Sequence, residues 1–178
     1  MSDNISPAAI SLAAMAVEYC RVVAGCTDAG PKDFLADVLR YLPRFYITIS
    51  GLDPYGNGSD ADAEETGMIY DTLTEEQYES ARTAMSAVLG ENDMYLDTPV
   101  EEMRFSDTPV AVSLAEQLAD IYQAMADFAS TVGDAAPEVL PDVLSELKYR
   151  FTSYLSDTMC SALRAANYVY HNANFDRE

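Results

Sequence analysis

A chain of 178 residues with 30 acidic and 10 basic side chains has a net charge of −20, so its surface repels phosphate backbones and anionic lipid, and neither nucleic acid nor membrane is an expected partner. Its apolar fraction of 49% is that of a globular chain. The length fits one helical domain, residues 1–178, that buries roughly 70% of the surface its unfolded form exposes.

The charge is concentrated. Residues 1–51 carry 5 acids against 4 bases, residues 52–109 carry 15 against 2, and residues 110–178 carry 10 against 4. Cations, basic proteins and neutral ligands are the partners such a surface admits, or none, in which case the charge serves solubility. The run Ala8 to Val17 lacks the preceding positive charge of a signal peptide, and no stretch reaches the ~20 apolar residues of a membrane span. Cys20, Cys26 and Cys160 are odd in number and form no CxxC pair, which suits reduced thiols in the cytoplasm. Cys20 and Cys160 fall within helical patterns and read as small core residues.

Ser6-Pro7 opens a first helix along Leu12, Met15, Tyr19 and Val22, and Gly25 offers its stop. Gly30-Pro31 restarts the chain into a second helix, striped by Leu35, Val38, Leu42, Phe45 and Ile49. Pro43 removes a hydrogen bond from that stripe and predicts a kink or a break near Leu42, with a short strand over residues 46–49 as the competing reading. Residues 52–73 hold turn formers followed by acids and predict a long acidic, mobile loop between the second and third helices. Thr74 and Gln77 form a capping box for a third helix, which Gly90 ends. Residues 91–109 predict an irregular but ordered connection, part of which packs down through Met94, Tyr95, Leu96, Met103 and Phe105. A fourth helix follows Leu114, Leu118, Ile121, Met125, Phe128 and Val132, capped by Asp107 or Thr108 and ended by Gly133. A fifth begins near Pro137 or Pro141 and runs to about Tyr170. The fold class is all-α, a helical bundle of about five helices.

Catalytic motifs are few. His171 is the single histidine, too few for a His-based metal site, and it reads as a surface residue at a helix end. No phosphate loop, dinucleotide fingerprint or serine elbow is present, so no cofactor and no catalytic residue is assigned. Asp60, Asp62 and Glu64 alternate like the start of a calcium loop, but Glu65 stands where glycine is required and Asp71 where a bidentate glutamate belongs. They remain a weak cation-loop candidate, with a solvated loop the plainer reading. Tyrosines such as Tyr122 on predicted helices would either pack the core or line a ligand cleft. Arg40 and Arg44 lie four apart on the second helix, with Asp120 on the fourth and Arg164 on the fifth. These residues predict an interhelical ion-pair cluster, Arg44 with Asp120 first, or an anion site around Arg40 and Arg44.

The segment Phe105 to Gln123, the run Phe34 to Tyr46 and the block Ala162 to Ala166 resemble the signature of domain-of-unknown-function family 5063. The resemblance implies a small, all-helical bacterial cytosolic protein and transfers no catalytic residue. The function expected is a non-enzymatic interaction or adaptor domain. The alternative is a ligand-binding or enzymatic domain with a Tyr/Arg-lined cleft, and a third reading is an acidic nucleic-acid mimic that occupies a basic protein.

Overall fold

A computed structural model describes residues 5–55, 65–98 and 104–175. The order is α1 (Ile5–Ala24), α2 (Cys26–Ser50), α3 (Glu75–Leu89), β1 (Met94–Asp97), β2 (Val110–Ser113), α4 (Leu114–Asp134), α5 (Leu140–Arg150) and α6 (Ser156–Asn172). A π-helical turn over Phe151–Leu155 joins α5 to α6, so the C-terminal helix runs unbroken from Leu140 to Asn172. The all-α bundle expected from the sequence is what forms, with one small β-hairpin beside it.

The apolar stripes define the packed faces. Leu12, Ala16 and Tyr19 of α1 and Leu114, Leu118, Ile121, Met125 and Phe128 of α4 are fully buried in one core, because spacings of three and four keep them on one side of each helix. α4 packs chiefly on α1, then on α3 and α6, while α2 packs on α6 and α3. Tyr19, buried end to end, donates its hydroxyl to the Leu118 carbonyl and stacks edge-on against Phe45. Burial drives the Tyr19 phenol far above its ordinary pKa, so it stays a donor.

Local rules explain most boundaries. Gly30 takes φ 77°, which only glycine adopts without strain, and Pro31 restarts the helix there. From Pro31 the helix continues through Pro43 to Ser50, so neither the break near Leu42 nor the strand at 46–49 forms. Burial of Leu35, Val38, Leu42, Phe45 and Ile49 outweighs a proline penalty of about 3 kcal/mol. Thr74 and Gln77 make the reciprocal capping box.

Elsewhere the tertiary structure departs from the expectation. The connection over 91–109 contains the antiparallel pair β1–β2, with Leu96 opposite Ala111. Asp107 and Thr108 therefore precede a strand, and Ser113 caps α4, its hydroxyl accepting the Glu116 N–H. Gly133 lies inside α4, which ends at Asp134. Cys26 is the buried cysteine, and Cys160 is exposed. The π-turn inserts one residue into the C-terminal helix, so Leu155 faces the core and Tyr154 turns to solvent.

Candidate functional site

The residues selected from the sequence do not converge. Arg40 pairs with Asp37 at 2.9 Å on the exposed face of α2. Arg44 is exposed and makes no ion pair among the described residues, because Phe45, one step round the helix, takes the buried position. Asp120 instead accepts the Tyr78 hydroxyl at 2.7 Å on the α3 side of α4, so the Arg44–Asp120 pair does not exist. Tyr122 is half-buried in a shallow cleft between α1 and α3. Arg164 pairs with Asp97 of β1. Asp60, Asp62 and Glu64 of the candidate cation loop lie outside the described residues.

Arg44 does line a cleft. Ser11, Leu12, Met15 and Glu18 of α1 and Tyr41, Arg44, Ile47 and Thr48 of α2 enclose about 480 Å³. Its lining is apolar at Leu12, Met15 and Ile47 and otherwise carries hydroxyls, the Arg44 guanidinium and the Glu18 carboxylate, which pairs with Arg21. α1 is apolar beyond what the core uses: Pro7–Ala24 has a mean hydropathy of 1.4, yet only 33% of it is buried. By length and composition it could span a membrane, but its Leu12–Tyr19 face is built into the bundle.

A second set of polar residues carries no sequence signature. Asp127, buried on α4, accepts at Oδ1 the N–H and hydroxyl of Thr72 and the N–H of Leu73. Glu146, buried on α5, accepts at Oε2 the N–H groups of Thr66 and Gly67, and Arg150 bonds both Glu146 and the Ile69 carbonyl. Gly67 has φ 67°, a left-handed conformation that favours glycine at this turn. Tyr55 reaches Asp142, and Lys148 donates to the Leu52 carbonyl. The two described flanks of the acidic segment, 52–55 and 65–73, are thus hydrogen-bonded to α4 and α5. Burial pushes the Glu146 carboxyl up, but the bonds from Arg150, Gly67 and Thr66 outweigh it and leave the group below the usual carboxylate range. Asp93 is buried too: it accepts the Ser113 hydroxyl and the Ala115 N–H at one oxygen and the Ser86 hydroxyl at the other. These carboxylates complete the backbone's hydrogen bonding, and that is structural chemistry.

The hairpin presents a different surface. Tyr95 points inward, donating to Gln117 Oε1 at 2.7 Å, and Asp97 is buried between the Thr98 N–H, Ser161 and Arg164. Met94 and Leu96, on the other face of β1, are 57% and 69% exposed, and Phe105 is 91% exposed. The sequence predicts that part of 91–109 packs down through Met94, Tyr95, Leu96, Met103 and Phe105: Tyr95 packs against the core, Met94, Leu96 and Phe105 stand in solvent, and Met103 lies outside the described residues. Among the described residues no main-chain N–H or C=O of either strand is bonded outside the pair. An apolar face therefore sits beside an edge without hydrogen-bond partners among the described residues, and the exposed charges near it are Glu91, Arg104 and Asp107, since Asp93 and Asp97 are buried.

Known proteins place the fold. The crystal structure of protein BF1032 from Bacteroides fragilis superposes with a TM-score of 0.69 at 24% identity, covering 93% of this chain and 94% of that one. No curated protein matches the chain. The family model described as domain of unknown function DUF5063 matches residues 3–172, and the chain belongs to that family.

Proposed function

We propose that the protein is a non-enzymatic interaction domain that binds another protein through the β1–β2 arm. One observation carries the reading: Met94 and Leu96 are solvent-exposed on one face of a strand whose other face is tied to the bundle, and Phe105 in the connection after it is exposed too. Exposed apolar side chains grouped on an ordered element are costly in water unless a partner covers them. The buried carboxylates support the same reading, since Asp93, Asp127 and Glu146 are each occupied by backbone amides.

The test is photo-crosslinking from position 96 in bacterial cells. We expect a discrete protein adduct that disappears when Met94 and Phe105 are both changed to Ser, with the melting temperature unchanged. No adduct, or the same adduct from the double variant, overturns the assignment.

The α1–α2 cleft favours a second reading, a small amphipathic ligand held by Arg44 over Leu12 and Met15. That reading expects organic carboxylates to raise the melting temperature of the wild type and not of Arg44→Met.

A further inference from the structure

We propose that the cavity between residues 68–72 and the junction of α4 with α5 binds a small organic cation, a protonated amine carried on an apolar body. The site is separate from the β1–β2 arm, and the proposal does not depend on the interaction reading above.

The cavity is built by a strap, residues 65–73, that crosses from α5 to α4. Thr66 and Gly67 are tied to Glu146 at one end, and Thr72 and Leu73 to Asp127 at the other. Between these anchors Ile69 is buried, and the Tyr70 N–H donates to the Thr131 hydroxyl at 3.2 Å. The strap is thus held in place by its main chain, and its side chains leave about 290 Å³ between it, the end of α4 and the start of α5. Met68, Val139 and Val143 give that space apolar walls. The volume lies at the lower end of small-molecule sites, which begin near ~300 Å³, and suits one ring or a short chain. Because the anchors are already made, a ligand need not order the strap on entry.

Charge selects the class of ligand. Asp134 lines the cavity, is exposed, and makes no hydrogen bond or ion pair among the described residues. The neighbouring carboxylates, Asp127 and Glu146, are filled by N–H groups of the strap, and Arg150 is bonded to Glu146 and the Ile69 carbonyl. No base lines the cavity. α4 ends at Asp134 without a capping N–H, so the negative end of its dipole adds to the carboxylate. Asp71 and Glu138, exposed on the flanking segments, carry the same sign. An anion is repelled, and a neutral guest would strip water from Asp134 without replacing it. An ammonium pairs with Asp134 and finds a further acceptor in the Ser130 hydroxyl. Tyr70 adds an aromatic ring, which also attracts cations.

The experiment titrates the isotope-labelled full chain with 2-phenylethylammonium and n-hexylammonium, beside 2-phenylethanol and phenylacetate at the same concentrations. Amide resonances of residues 68–72 and 130–136 should shift with a Kd of about 1 mM or tighter for the amines and barely move with the alcohol and the acid. Asp134→Asn should weaken amine binding about tenfold with the melting temperature unchanged. Glu138→Gln removes the same charge from the neighbouring turn and should change the Kd by less than about twofold, which separates a site from general attraction to an acidic surface. The proposal is overturned if neither amine shifts those resonances, if the alcohol binds as tightly as the amine, or if the two variants weaken binding equally.

Discussion

Asp127 lies fully buried on α4, and its Oδ1 accepts the main-chain N–H of Thr72 at 2.8 Å. One carboxylate in the bundle thereby fixes the end of the connection that feeds the capped N-terminus of α3. The adjoining Leu73 N–H, also at 2.8 Å, shares the same oxygen. Removing the acceptor strands three donors at once.

Asp127→Ala should therefore cost about 2–4 kcal/mol, a fall of roughly 5–15 °C in melting temperature. Amide exchange at Thr72 and Leu73 should quicken more than at Ile121. A melting temperature within 2 °C of wild type would show that water replaces the carboxylate at no cost.

Glu146 and Asp120 should respond oppositely to neutralisation. Glu146 is held below its ordinary pKa in the folded protein, so its contribution is fully present above the unfolded value, near 4.3, and is lost as pH falls through the folded value. Glu146→Gln should destabilise at pH 7, with the gap to wild type closing at about pH 3. Asp120 is raised by burial, against which the Tyr78 hydroxyl works, so its charged form is disfavoured by folding and its stability deficit grows as pH rises. Asp120→Asn should be neutral or stabilising at pH 7 while keeping an acceptor for Tyr78. Melting curves from pH 3 to 8 decide both; a stability loss for Asp120→Asn that equals that for Glu146→Gln would refute the distinction.

Leu118 is fully buried on α4 beneath α1, where its carbonyl also receives Tyr19. Leu118→Ala should cost ~2–5 kcal/mol through lost burial and a cavity. Urea denaturation with an unchanged m-value would report that loss as stability alone.

Arg44→Met should change stability by no more than about 0.5 kcal/mol, since the guanidinium is exposed and unpaired among the described residues. A loss above about 2 kcal/mol would mean that the side chain holds α1 to α2 in solution.

Periodicity made the helices legible. Leu114, Leu118, Ile121, Met125 and Phe128 report a buried face by their spacing alone, because the helix itself brings them together. The Thr74–Gln77 box and the Gly30-Pro31 restart were equally readable, since each closes within a few residues. Pro43 was not: its local cost is fixed by the chain, but whether α2 breaks depends on how much apolar surface the rest of the bundle covers. The strap and the hairpin were hidden for a related reason. Asp127 meets Thr72 across 55 residues, and β1 meets β2 across a connection with no helical or alternating pattern. A charged residue reads the same in sequence whether it is solvated or anchors a backbone. The sequence alone determined which side chains share a face. Only the tertiary structure decided what each face meets, and so it buried Asp127 and left Leu96 in water, because contact between distant elements is set by packing of the whole bundle.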